Sequence, residues 1–318
     1  MGGPVLLAGI AGAGTLIRYG DDADNCDAIR VQVDAGRGTA LRLSQAGVDV
    51  GALDAIFFTH MHSDHTEGFG DIMLTRWTYN GRGPKLDVVC SVDKVAPVFG
   101  ATISCKNYVA HIGDAFLRSG EVAQRNSENA DRSIEGPAAV TNVVTFDPSE
   151  EPRLVWSKGD VRVSAIRSNH IAGHASYRVD TPAGSVVVGG DATNDKIAPP
   201  RETSTSAQVE KLAKGADVIV HSNVHPVMRP GVGSGMPAPT FERQSSTPDL
   251  AAMAQRAGVK HLMLTHLAPI PGQARHGPWP IPGGGISEAD YRAAAAQGGF
   301  TGNVIVGKDL VTLRLPQK

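Results

Sequence analysis

The sequence predicts an α/β fold in which two sheets pack face to face with helices outside. Short Val- and Ile-rich runs bounded by Gly or Asp recur through both halves of the chain, the pattern of strands set between tight turns. Helical patterns fall singly between the strand clusters and no fixed-period repeat is visible. Two packed sheets would bury this many strands in one domain.

The strands are expected at Val5–Ile10, Ile29–Val33, Ala55–Thr59, Asp87–Ser91 and Val161–Ile166 in the first part of the chain. The second part adds Ser176–Asp180, Ser185–Val188, Asp217–Val220, His261–Thr265, Asn303–Val306 and Leu310–Leu315. Thr247-Pro248-Asp249 before Leu250–Ala257 reads as a helix start, with Pro at the first helical position and an acid in the first turn, and Gly258 supplies the stop. Ser287-Glu288-Ala289-Asp290 opens a helix running to about Gln297, and Thr205 to about Lys214 forms another. Residues 100–152 are polar and poor in strand pattern, and read as an insertion, a lid or a subunit contact, within a single domain over 1–318. That excursion favours a homodimer.

The hydrophobic fraction of 41% and charged fraction of 19% fit a globular chain with a core. Thirty Lys plus Arg balance 32 Asp plus Glu, without the positive footprint that nucleic-acid binders carry. Cys26, Cys90 and Cys105 are far apart and odd in number, which argues against a disulfide framework and for small buried hydrophobes. No apolar run reaches the roughly 18 residues of a membrane span, so no membrane partner is expected. The N-terminus lacks a charged signal-peptide start. Both a cytoplasmic location and export with a removed signal remain open.

The sharpest signal is Thr59-His60-Met61-His62-Ser63-Asp64-His65, directly after an apolar strand. Four coordinating side chains in six residues are no packing pattern. Imidazole with carboxylate suits zinc, and a loop at a strand end lets the donors converge. More ligands are needed to complete two metals, and His170, Asp191 and His266 each follow closely on an apolar run. A carboxylate between two histidine-rich sets is the natural bridge.

The H-x-H-x-D-H pattern, the lone His170, the Gly190-Asp191 pair and Thr265-His266 together resemble the metallo-β-lactamase superfamily. The turn Asp34-Ala35-Gly36-Arg37-Gly38-Thr39, Tyr177-Arg178, and Asp217–His221 resemble its ribonuclease Z and arylsulfatase-like branch. The resemblance implies the αββα four-layer sandwich, with one metal on His60, His62 and His170. It places a second metal on Asp64, His65 and His266, bridged by Asp191. Two Zn2+ per chain are expected, and Mn2+ or Fe2+ fit the same donors.

Two such ions would share one water and lower its pKa from about 15.7 toward 7, with Asp64 also placed to accept its proton. His221 is a second catalytic candidate, assisting the leaving group. In the resembling branch a Glu follows this His, whereas here Ser222 does. Asp34 is expected to orient a ligand histidine. His174 and Trp279 are candidates for facing the substrate, Trp279 from a long Pro/Gly loop after His266.

The preferred substrate is a small organic molecule, as an aryl, phospho or sulfate ester or a lactone, with no nucleic acid. Hydrolytic dehalogenation of an activated aromatic ring is a first alternative. A ribonuclease-Z-type tRNA endonuclease is a second, disfavoured because such enzymes carry an arm between the Tyr-Arg strand and the bridging Asp. Here Tyr177 to Asp191 is short enough for a tight hairpin only. A non-catalytic metal-binding protein is a third alternative. Iron redox chemistry would need a flavin partner domain, and no dinucleotide fingerprint appears.

Overall fold

The computed structural model describes residues 2–21, 23, 26–97, 99–196 and 202–315. They divide into two compact units, Ala11–Asp147 and the combination of Met1–Ile10 with Pro148–Lys318.

In the first unit the elements run β1 (Thr15–Tyr19), β2 (Ile29–Val33), α1 (Thr39–Gln45), β3 (Ala55–Phe57), α2 (Ser63–Thr66), α3 (Phe69–Asn80) and β4 (Leu86–Ser91). A small ribbon follows, β5 (Lys94–Val95) with β6 (Thr102–Ile103), then α4 (Cys105–Arg118), α5 (Glu121–Glu128) and β7 (Thr141–Phe146). The sheet order is β1-β2-β3-β4-β7, parallel from β2 onward, with β1 antiparallel at one edge. Ile56 and Val88 from the sheet pack with Phe69, Met73 and Trp77 of α3 and Val109 of α4 in one buried cluster. Arg76 is buried among them, and its guanidinium donates to the carbonyls of Val50, Leu53 and Pro84. These bonds tie two loops to the helix.

Residues 100–152 contribute β7 to this sheet, in parallel register with β4, and Val109, Val122 and Val140 to its core. β7 escaped notice in the sequence because Thr141, Asn142 and Thr145 interrupt its apolar run. The cysteine expectation is corrected: Cys90 on β4 and Cys105 at the start of α4 form a disulfide, leaving Cys26 as a thiol. Their separation of 15 in sequence spans the β5–β6 ribbon, a pairing that parity of the count does not address.

The second unit contains β8 (Arg153–Lys158), β9 (Val161–Arg167), β10 (Ala175–Thr181), β11 (Gly184–Gly190), α6 (Ala207–Ala213), β12 (Val218–Val224) and α7 (Ala238–Phe241). It continues with α8 (Thr247–Ala257), β13 (His261–Ala268), the ribbon β14 (Arg275–His276) and β15 (Trp279–Pro280), α9 (Glu288–Gln297) and β16 (Asn303–Val306). The sheet order is β16-β13-β12-β11-β10-β9-β8, antiparallel from β8 to β11 and parallel from β11 to β16. Every residue of β12 is buried, as a central parallel strand requires. Leu212 of α6, Leu250 and Met253 of α8 and Tyr291 of α9 cover Ile219, Leu262 and Leu264.

The helix ends follow their local chemistry. Gly258 closes α8 in a left-handed conformation at φ 71°, and Ser287 with Asp290 makes a reciprocal cap at α9. Arg178 Nη1 donates to the carbonyls of Leu212 and Lys214 at the end of α6, so the Arg of the Tyr-Arg pair anchors a helix C-terminus.

Two expected strands are absent among the described residues. Val5–Ile10 turns at Gly9, φ 80°, with Ile10 N–H donating to Leu7 O at 3.2 Å. Leu310–Leu315 begins at a left-handed Leu310, φ 67°, which breaks the extended backbone that pairing requires. Thiol titration of denatured chain should find one reactive cysteine without reductant and three after reduction. Three in both cases would remove the disulfide.

Candidate functional site

The first unit holds the histidine-rich turn between β3 and α3. His62 precedes α2, while Asp64 and His65 lie within its single turn. His60, Asp64 and His65 are all buried, at 3, 5 and 1% exposure, so each needs a polar partner in place of water. Asp34, just past β2, supplies much of this. Its Oδ1 accepts the Thr59 N–H at 2.8 Å, and its Oδ2 accepts the Thr59 hydroxyl at 2.8 Å and His65 Nδ1–H at 2.8 Å. Bonds to a charged acceptor stabilise by about 1.5–3 kcal/mol each. The His65 bond also selects a tautomer, directing the Nε2 lone pair away from Asp34.

The Asp34 backbone sits at φ 59°, a left-handed conformation that Asp tolerates better than most residues. Gly36 of the D-x-G-x-G-T turn, and Gly68 beyond it, answer to space, whereas Gly38 answers to its φ of 74°. A Cβ on Gly36 would lie 2.1 Å from the Asp64 carbonyl, and one on Gly68 would lie 2.1 Å from the Gly36 carbonyl. Thr39 Oγ1 closes the turn onto Gly36 O at 2.7 Å. Thr59 Oγ1 lies 3.0 Å from His60 Nδ1, and His60 Nε2 lies 2.9 Å from His62 Nδ1. Glu67 pairs with Arg37 at 3.1 Å.

In the second unit two β-bulges deliver candidate ligands. The β11–β12 register shifts between Val188 and Gly190, and Gly190, at φ 61°, turns the chain into Asp191. The β12–β13 register skips His266, since Ser222 pairs with Thr265 and Asn223 with Leu267, and His266 stands at φ 46°. A bulge re-aims one side chain while the ladder continues. His266 Nε2 consequently lies 3.3 Å from Asp191 Oδ2, and His170 Nε2 lies 3.9 Å from the same oxygen. A Cβ on Gly3 would meet the His266 ring at 2.3 Å, so that residue must be glycine for the ring to occupy its place.

His174 is buried and engaged internally. Its Nδ1 bonds Ser168 Oγ at 2.8 Å and its Nε2 accepts the Asp191 N–H at 3.3 Å, so it supports the Asp191 main chain. His221 is also buried, with Nδ1–H donating to Ser222 O at 2.7 Å and Nε2 without a hydrogen-bond partner among the described residues. A Cβ on Gly189 would meet its ring at 2.1 Å. Burial pushes the His221 pKa below its ordinary value, leaving a neutral imidazole whose lone pair is at Nε2. Trp279 packs against the buried cluster of Val224, Met228, Met236, Ala268 and Ile281. Its ring is near-parallel to His276, at 20° with centroids 6.3 Å apart.

Two residues escaped the sequence analysis. His276 has its pKa lowered to about 4, by burial first and by the nearby His266 second, and its position at the Pro/Gly loop was a signal left unread. Gln244 donates Nε2–H to Asp191 Oδ2 at 3.0 Å, and nothing in its sequence neighbourhood announces that. Taken unit by unit, the imidazole and carboxylate donors fit zinc, and the tautomer set at His65 and the cradle around His266 fit pre-positioned ligands.

Residues 25–228 match the family described as Anti-Pycsar protein Apyc1. A ribonuclease Z of Mycobacterium sp. (strain KMS) is 30% identical over 314 residues, covering 97% of this chain and 92% of that protein. The chain is a hydrolase of the metallo-β-lactamase superfamily, in its ribonuclease Z branch, and belongs to the Apyc1 family.

The superfamily's fold is matched across the chain. The metallo-β-lactamase fold protein YhfI of Bacillus subtilis superposes with a TM-score of 0.59 at 17% identity, covering 97% of this chain and 93% of its own. The short form of human tRNase Z gives a TM-score of 0.56 at 15% identity, covering 96% and 93%. The α/β sandwich expected from the sequence is therefore the fold of the chain.

The expectation of a small-molecule substrate without nucleic acid is corrected by the ribonuclease Z relative, whose name declares RNA as its own substrate. Whole-chain charge balance averages over a surface, whereas a nuclease needs complementarity only where the strand lies. Among the described residues no helix is long and apolar enough to cross a membrane. Asp34→Asn, which keeps the left-handed backbone accessible while removing the charge, should weaken metal binding about 10–100-fold. Competition with a chromogenic chelator measures this, and an unchanged affinity would refute the orienting role.

Proposed function

We propose that the chain is a metal-dependent phosphodiesterase of ribonuclease Z type, cleaving an RNA such as a tRNA precursor. The two units would act as one hydrolase domain. The observation that carries this reading is a ribonuclease Z relative matched over nearly the whole chain, together with seven candidate ligands of the kind that superfamily uses. His60, His62 and His170 would hold one zinc, and Asp64, His65 and His266 a second, with Asp191 between them.

Such cations supply Lewis acidity, lowering the pKa of a water and offsetting phosphodiester charge. Asp64 would take the proton of the attacking water, with Asp34 holding His65 and His174 holding the Asp191 main chain. Attack at phosphorus breaks one P–O bond, giving a phosphate monoester and an alcohol. His221 would act only once protonated at Nε2, then donating to the phosphoryl or leaving oxygen, since its Nδ1–H is already given to Ser222 O.

The Tyr177–Asp191 segment is a hairpin whose pairing reaches Thr181↔Gly184, leaving no room there for a gripping arm. The substrate must then be held by loops nearer the site. The ribbon after His266 offers Trp279 and His276 as near-parallel rings and Arg275 as an exposed cation. Base stacking on an aromatic ring contributes about 1–3 kcal/mol, which this pair would supply to a nucleotide beside the scissile bond.

Zinc- and manganese-loaded protein should cleave labelled precursor tRNA or single-stranded RNA, losing activity with chelator and regaining it with metal. Turnover of nitrophenyl acetate or a lactone without any phosphodiester cleavage would overturn the proposal. Asp64→Ala should lower kcat by about 10²–10⁴-fold, the range for a positioned proton acceptor. Trp279→Ala should raise KM for RNA about 5–150-fold at near-constant kcat, the equivalent of one lost stacked base.

A further inference from the structure

Asp191 is held from two sides. Its N–H is bound by His174 Nε2 at 3.3 Å, and its carboxylate Oδ2 accepts Gln244 Nε2–H at 3.0 Å. Gln244 belongs to the loop between α7 and α8, and neighbouring bonds clamp that loop to the Asp191 turn. Ser245 Oγ donates to Ala192 O at 2.8 Å, Thr193 Oγ1 donates to Glu242 O at 3.1 Å, and Ser246 N–H donates to Ser204 Oγ at 2.7 Å. Backbone and side chain are therefore both anchored. The Gln244 Oε1 is buried without a hydrogen-bond partner among the described residues, so the amide stays buried with only one end satisfied.

We propose that Gln244 is a positioning residue for Asp191, setting the rotation of its carboxylate so that each oxygen is presented to one of two cations. The terminal torsion of an aspartate is broad and roughly two-fold, and a ligand shared by two ions tolerates little of that freedom. One N–H donor restricts the torsion. An ammonium or guanidinium in the same place would compete with the cations for the carboxylate, and a second carboxylate would repel it, so a neutral amide is the donor that orients without altering the charge of the site. This inference rests on the reading of Asp191 as a metal ligand and is independent of which bond the enzyme cleaves.

Gln244→Met keeps the length and volume of the side chain and removes the donor. Zinc stoichiometry and affinity by chelator competition, read beside the thermal midpoint of metal-free protein, separate positioning from folding. The expected result is a wild-type chain with two zinc equivalents and a Met variant whose weaker equivalent drops about 10–100-fold, with the metal-free midpoint unchanged. Gln244→Leu gives the same readout should the Met chain fail to fold. Equal affinity and stoichiometry in wild type and variant overturn the proposal alone. A wild-type chain that takes up no metal overturns both this role and the metal centre beneath it. A wild-type chain that binds zinc yet leaves RNA intact removes only the substrate assignment, and the Met comparison then still decides the role of Gln244.

Discussion

The structure depends on how buried charge is held. His60, Asp64, His65, Asp191 and His266 are each 5% exposed or less, and an imidazole or carboxylate stripped of water is stable only with partners in place. In the first unit Asp34 is the organising partner. Its two oxygens gather a backbone N–H, a hydroxyl and an imidazole N–H from the turn after β3. The left-handed backbone at Asp34 and the crowding at Gly36 and Gly68 are consequences of bringing that carboxylate so close to the histidine turn.

The second unit solves the same problem with strand irregularities. A regular strand alternates its side chains between two faces, so a residue at the end of β11 or within β13 has only two directions available. The bulges at Gly190 and His266 add a third. Asp191 and His266 thereby approach one another to 3.3 Å while the apolar ladders around them remain intact. His174, read from sequence as a candidate for facing substrate, is instead drawn inward between Ser168 and Asp191.

The substrate question turns on the difference between chemistry and grip. A nucleophilic water and a charge-offsetting centre serve any phosphodiester, and what separates a nuclease from a small-molecule esterase is the surface that holds the rest of the substrate. The tight β10–β11 hairpin and the balanced charge both describe grip, and neither bears on the chemistry of the site. In the proposed reading the His276–Trp279 ribbon, next along the chain from His266, would offer a different kind of hold.

Local sequence determined the metal-ligand candidates and most of the strands. The residues of His60–His65 lie within one turn of chain, and a ligand that follows a Val-rich run announces its own position. The helix caps at Gly258 and Ser287 were legible for the same reason, since each acts within a few residues. Tertiary structure alone decided the Cys90–Cys105 bond, the bond from Gln244 to Asp191 and the inward turn of His174. It also decided the parallel pairing of β7 with β4. Gln244 and Asp191 are 53 residues apart, and no local pattern encodes a partner at that distance. Side-chain type proposes what a residue is able to bind, whereas the packing of distant segments selects which of those bonds forms.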